Sequence, residues 1–239
     1  MTRYPVYVRG IATEPKVALT FDDGPNPPRT EQLLEILAKT GSRATFFTMG
    51  KWAERFPRTV DRVLAGGHLV GNHGYEGQGW IGDYDQAEAV IGHLTGAPSR
   101  YLRPHTFNYA SYFQSRIAQL PESHTIGRDI DSDDWQTTDP DTIVRAVLDH
   151  PKLGSGSIIV FHDGAENEEA AIRLRRPLPM LEAMPRIIAG LKERGLRCVR
   201  VDEMALAEPL YWESGSSTPE LESHDHLAAR ANALARSPD

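Results

Sequence analysis

The 239 residues are 40% hydrophobic and 25% charged with a formal net charge of −7, the balance of a soluble globular chain long enough for one large domain or two small ones. The acidic balance argues against bulk phosphate binding, so nucleic acid is not an expected partner, and no apolar run approaches the ~20 residues of a membrane span. Met1 to Gly10 carries no apolar block with a small-residue cleavage site, which makes a cytoplasmic enzyme the expectation, and the single Cys198 in an apolar strand-like stretch reads as a buried, inert thiol.

The first predicted strand is the apolar run from Lys16, which ends in Asp22 and Asp23 and is broken at once by Gly24-Pro25. Two adjacent carboxylates repel unless a metal or a proton relieves them. From these residues alone, a polar turn and a site both stand open. Thr30 to Lys39 places Leu33, Leu34, Ile36 and Leu37 at helical spacing, Ala44 to Thr48 reads as a strand, and Pro57 opens a helix that Gly66-Gly67 ends. His68 to Gly71 is a short strand closing on Asn72-His73. The stretch Tyr84 to Leu94 is helical, Tyr101-Leu102 a brief strand ending at Arg103-Pro104, and Ser111 to Gln119 another helix.

The second half repeats the scheme. A strand over Thr125 to Ile130 runs into Asp131-Ser-Asp-Asp134-Trp135, and Asp139-Pro140 supplies an N-cap and first turn for the next helix. Ser157 to Phe161 is β-branched and ends in His162-Asp163. Leu178 to Glu193 is helical with Pro185 inside, where a kink or late start is expected, and Arg197 to Val201 is the last strand.

About seven alternations of strand and helix predict an α/β fold with parallel strands and right-handed crossovers. No Gly-rich nucleotide fingerprint follows the first strand, so a distorted or incomplete (β/α) barrel fits better than an open sheet. Residues 1–207 form this barrel in the expected organisation, and 208–239, with Gly-Ser-Ser-Thr-Pro and an Ala-rich end, form a flexible or partly helical tail whose His224 and His226 read as solvated. Asp22, Asp23, His73, Arg103, Asp131 to Asp134 and His162 each fall just beyond the carboxyl end of a predicted strand. In a parallel barrel those ends share one rim, where active sites sit.

By motif order from about Val17 to Met204 the chain resembles the NodB-homology polysaccharide deacetylases, carbohydrate esterase family 4. The motifs are Thr20-Phe-Asp-Asp-Gly-Pro25, Gly67-His-Leu-Val-Gly-Asn-His73, Leu102-Arg-Pro104, Asp131-Ser-Asp-Asp-Trp135 and Ile158-Ile-Val-Phe-His-Asp163. The resemblance implies amide hydrolysis: Asp22 as general base, Asp23 and His73 as ligands of a divalent, zinc-like metal, and Arg103 pairing with the base to keep it ionised. It further implies Asp134 as the carboxylate that orients His162, the general acid for the leaving amine. The expected substrate is a small acetamido sugar or related amide, and the absence of a secretion signal argues against a cell-wall polymer. Nothing in the sequence fixes an oligomeric state.

Two departures stand out. The family's second motif carries a histidine four residues after the first, and here that position is Gly77, which leaves Glu76, Gln78, Asp83 or a water as candidates for the third place on the metal. His68, upstream inside the strand, reads as packed. The third motif reads Arg103-Pro-His-Thr-Phe107 where the family continues into Tyr-Gly, and it leaves His105 open to substrate, metal or neither. Trp52, Trp80, Trp135 and Trp212 read as packing residues, with Trp80 and Phe107 also candidates for a sugar platform. Loss of one ligand keeps two alternatives in view: a metal-independent hydrolase of a small cyclic amide or imide, and a non-catalytic carbohydrate-binding homologue. Retained Asp23 and His73 weigh against the first, and retained base, arginine and acid candidates against the second.

Overall fold

The computed structural model describes residues 3–77, 82–105, 112–113, 115–165 and 179–213. Their strands are β1 (Arg3–Tyr7), β2 (Lys16–Asp22), β3 (Thr45–Thr48), β4 (Leu69–Asn72), β5 (Tyr101–Leu102), β6 (His124–Ile126), β7 (Ile130–Asp131), β8 (Ile158–His162), β9 (Arg197–Val199) and β10 (Leu210–Glu213). They make one sheet in the order β10-β1-β6-β5-β4-β3-β2-β8-β7, with β9 pairing β2. Every pairing between these strands is parallel except β1 with β10. This is the expected incomplete (β/α) barrel, a curled half-barrel with three strands more than the expected seven.

β2, paired with β3, β8 and β9, is covered on both faces, which is what its near-continuous apolar run requires. Val17, Leu19 and Phe21 point outward into a core shared with Leu33 and Leu37 of α1 (Arg29–Thr40), Val60 and Val63 of α3 (Pro57–Ala65), and Ile187 and Leu191 of the helix Pro179–Glu193. Ala18, between them, points the other way, into an inner cluster with Phe47, Ile126, Ile158 and Val199. The alternation of period two thus sorts β2 into a helix-facing and an inner set.

The helices α1, α3, α4 (Asp83–Thr95) and α5 (Pro140–Leu148) form where the apolar spacing puts them. Asp139 caps α5 as expected, accepting from the Asp141 N–H at 3.0 Å. α2 (Gly50–Arg55) is an addition too short to show a periodic stripe. α6 (Pro179–Glu193) begins ahead of Pro185 and runs through it, so the late start does not occur. Of the helix expected over 111–119, residues 111 and 114 lie outside the described residues, and a 3-10 turn at Ile117–Gln119 closes the stretch.

One correction has a clear cause. The single strand expected over 125–130 is two strands in different places, β6 beside β1 and β5 and β7 beside β8. The end of β6 and the residues after it are engaged elsewhere: the Ile126 and Gly127 carbonyls accept from Arg103, and the Asp129 carboxylate accepts from the Ile158 N–H and pairs with Arg9. The sheet also takes in Leu210–Glu213, antiparallel to β1, within the stretch read as tail; residues 214–239, with His224 and His226, lie outside the described residues. Among the described residues no helix is long and apolar enough to cross a membrane.

Phe161, fully buried and stacked on Phe21 with centroids 5.6 Å apart, joins β8 to β2 beneath the rim. Phe161→Ala is expected to lower stability by about 3–5 kcal/mol, read as a shift in urea midpoint at unchanged slope.

Candidate active site

The rim is built from strand ends. Alternation carries Asp22 to the inner face with Ala18 and Thr20, and the parallel register sets it opposite His162 of β8. The same alternation would send Asp23 outward among the helices. Instead Asp23 adopts φ +69°, a left-handed conformation uncommon for a residue other than glycine, and its carboxylate turns back to the inner side. Asp22 Oδ2 and Asp23 Oδ1 therefore lie 3.8 and 3.4 Å from the same atom, His73 Nε2. This bend is braced from β8, where a Cβ on Gly164 would stand 1.9 Å from the Asp23 carbonyl oxygen, so only glycine fits.

Arg103 enters from the end of β5 and is 2% exposed. Its Nη1 donates to Asp22 Oδ1 at 2.8 Å and to Thr20 Oγ1 at 2.7 Å, its Nη2 to the Gly127 carbonyl at 2.7 Å and its Nε to the Ile126 carbonyl at 3.2 Å. The guanidinium also lies over the Phe47 ring at 4.2 Å. His73 Nδ1 sits 2.6 Å from the Arg103 carbonyl, which fixes the ring and aims Nε2 at the carboxylates.

The third member of this cluster is His105. Ligand-type atoms of Asp23, His73 and His105 all lie within 4.8 Å of one another, and all three residues are buried. The two imidazoles stack with centroids 4.0 Å apart. One carboxylate and two imidazoles form a donor set suited to a zinc-type divalent cation. Burial alone would raise the Asp23 carboxyl, but the hydrogen bond and charge of His73 outweigh it and hold the carboxyl well below the usual range. For His73, burial opposes the charged ring while Asp22 and Asp23 favour it, and the net shift is upward. Burial and the neighbouring His73 push His105 down to about 3, so its ring is neutral and fit to coordinate.

Across the rim, Asp134 holds His162 at two points: Oδ2 accepts from the His162 backbone N–H at 2.9 Å, and Oδ1 lies 2.8 Å from Nδ1. That leaves Nε2 facing away from the carboxylate. Burial disfavours the charged imidazolium, yet the charge and hydrogen bond of Asp134, with Asp23 and Asp22 beyond, raise it to about 10. Asp163, next in the chain, is pushed up to about 7 by burial and by the Asp23 and Asp22 charges, against the hydrogen bond from Thr30 at 2.6 Å.

Every residue singled out for the chemistry, Asp22, Asp23, His73, Arg103, Asp134 and His162, therefore lies on this rim. Of the third-ligand candidates, Asp83 and Glu76 do not join the cluster. Asp83 caps the loop after β4, accepting from the Tyr75 and Glu76 N–H groups at 3.1 and 2.9 Å. Glu76 is outside the cluster, and Gln78, Trp80 and Phe107 lie outside the described residues. His68 is packed as expected, its Nδ1 accepting from the Ala44 N–H at 3.2 Å. Cys198 is half-buried, and burial pushes its thiol up to about 11, in keeping with an inert thiol. Trp52 is buried with its Nε1 donating to the Ala165 carbonyl, whereas Trp135, expected to pack, is 65% exposed beside Asp134. The signal for His105 was in the alternation: it stands two residues after Arg103, on the same inner side.

A parallel β/α half-barrel whose carboxyl rim holds an Asp–Arg pair, a His–Asp pair and a carboxylate–imidazole cluster is laid out as a hydrolase. The family model for polysaccharide deacetylases matches residues 9–121. A chitooligosaccharide deacetylase of Rhizobium leguminosarum bv. trifolii is 33% identical over 191 residues, 75% of this chain and 86% of that one. The chain belongs to the polysaccharide deacetylase family. It is also 28% identical over 212 residues to a peptidoglycan-N-acetylglucosamine deacetylase of Bacillus cereus, covering 84% of this chain and 72% of the relative. The crystal structure of the Bc1960 peptidoglycan N-acetylglucosamine deacetylase superposes with a TM-score of 0.74 at 28% identity, covering 87% and 96% of the two chains. A mutant of BA3943, a pseudoenzyme of carbohydrate esterase family 4 with restored activity, superposes with a TM-score of 0.70 at 25% identity, covering 83% and 70%.

Arg103→Lys keeps the charge but cannot supply the fork. It is expected to cost about 2–3 kcal/mol in chemical denaturation, because it leaves buried acceptors of Ile126, Gly127 or Asp22 unsatisfied.

Proposed function

We propose that this protein is a metal-assisted N-deacetylase of an acetamido sugar. The observation that carries the reading is the register of β2 and β8, which sets a base candidate and an acid candidate, Asp22 and His162, opposite each other on one rim beside the Asp23–His73 cluster. The named substrates of the relatives, peptidoglycan N-acetylglucosamine and chitooligosaccharide, supply the substrate class. Trp135, exposed beside the His162–Asp134 pair, offers an apolar face to a sugar ring.

Asp22, fixed by Arg103, takes a proton from water as its oxygen attacks the acetamide carbon. A divalent cation held by Asp23 and His73 supplies, when bound, Lewis acidity toward the carbonyl and the attacking water. The C–N bond then breaks with its electron pair going to nitrogen, and His162 gives that nitrogen its Nε2 proton. Acetate and the free amine leave, the carboxylic proton goes to solvent, and the proton on Asp22 passes through water to His162, which restores both groups. An amine departs poorly without that proton, which gives the raised His162 its purpose.

Asp22→Asn is expected to lower deacetylation of N-acetylglucosamine oligomers by at least ~10²-fold, measured as released amine; full activity would overturn the base assignment. His162 acts in its protonated form, so activity persists below its pKa and falls as pH rises through it. Asp134→Asn removes the charge that raises this pKa and is expected to move the basic limb of the pH–rate profile down by roughly 1–3 units.

A further inference from the structure

Resting on the metal-assisted reading, we propose that the third protein ligand has moved between loops: His105, after β5, fills the place that Gly77, after β4, leaves open. A Cβ built on Gly77 would stand 2.9, 3.0 and 3.2 Å from Nε2, Cε1 and Cδ2 of the His105 ring. A side chain at 77 and the imidazole of 105 thus compete for one volume, and position 77 is where the family pattern carries its histidine. Gly77 and His105 are the two halves of one exchange.

The His105 side is built to hold a ring there. Its backbone N–H donates to the Tyr84 hydroxyl at 3.3 Å, and Tyr84 is fully buried, edge-on to Tyr112 at 4.9 Å. The ring stacks on His73 and shares the 4.8 Å cluster with Asp23. The Gly77 side is equally determined. Asp83 fixes the Tyr75 and Glu76 N–H groups, and Gly77 follows at φ +71°. Of the two carboxylates that could have replaced the lost histidine, that of Asp83 is thereby committed to the loop's backbone, and Glu76 stands outside the cluster. The exchange has a mechanical corollary: only Pro104 separates Arg103, the partner of the base, from His105, so one short segment sets both base and cation.

Chelator-stripped protein titrated with Co2+, followed by its visible absorption, and with Zn2+ against a chromogenic chelator, tests this directly. The wild type is expected to bind one equivalent. His105→Ala is expected to weaken binding by at least ~100-fold and to change the Co2+ spectrum. Gly77→Ala removes no donor atom, yet is expected to weaken binding about tenfold by displacing the His105 ring. Gly96→Ala, at φ +75° with nothing within 4 Å of the added Cβ, imposes similar backbone strain elsewhere and is expected to leave affinity unchanged. The double variant Gly77→His/His105→Gly is expected to regain part of the affinity, since histidine is among the side chains that tolerate positive φ. Should His105→Ala fail to fold by circular dichroism, Gly77→Ala decides. Wild-type affinity and spectrum in folded His105→Ala, or unchanged affinity in Gly77→Ala, would overturn the exchange; if Asp23→Asn loses the ion in the same assay, the metal-assisted reading survives. A wild type that binds no Co2+ or Zn2+ would overturn both.

Discussion

Arg103 is the interaction on which the rest of the structure depends. A guanidinium stays charged at any pH the protein meets, so burying it is tolerable only if its donors are met inside. Here they reach a hydroxyl and a carboxylate of β2 and two carbonyls at the end of β6, while the plane lies on Phe47 of β3. Those demands explain features that otherwise look unrelated. Thr20 interrupts the apolar inner face of β2, β6 stops at Ile126, and the chain from Gly127 to Asp129 leaves the ladder before rejoining as β7. The Arg103 carbonyl then orients His73, so one residue positions Asp22 through its side chain and His73 through its backbone.

The charges around it form a second constraint. Asp22, Asp23 and Asp163 are all buried within one corner, and Arg103 compensates for only part of that negative field. The remainder shows in the neighbours: Asp163 is driven toward its neutral form, while His73 and His162 are driven toward their charged forms.

Much of this was legible in the sequence, for a physical reason. β2, β3 and β8 are covered on both faces and α1, α3 and α4 on one, so their apolar periods are strong, and the residue just past each strand necessarily lands on the common rim. Asp22, Arg103 and His162 could be placed on that ground alone. What escaped was set by contacts between distant segments. The run from Thr125 to Ile130 looks uniformly strand-like, and nothing within it announces that an arginine 23 positions upstream needs the Ile126 carbonyl. β1, with Pro5 in it, and β10 are ordered chiefly by each other. The Gly77–His105 relation crosses two loops, and spacing within either one cannot show it. Trp135 packed in expectation because tryptophans usually do, whereas the rim leaves it exposed.

The left-handed bend at Asp23 also fixes how this segment can change in length. Upstream of it, side chains on β2 alternate strictly, so adding or removing one residue between Lys16 and Asp22 would exchange the two faces. Phe21 and Leu19 would then point at Arg103, and Asp22 would enter the helix-facing core without a counter-charge. Downstream, the bend has already broken the alternation and Gly164 locks its position against β8. Substitutions along this strand can be absorbed one at a time, but insertions and deletions cannot; in descendants of this sequence, length variation belongs to the loops and not to the segment that carries both aspartates.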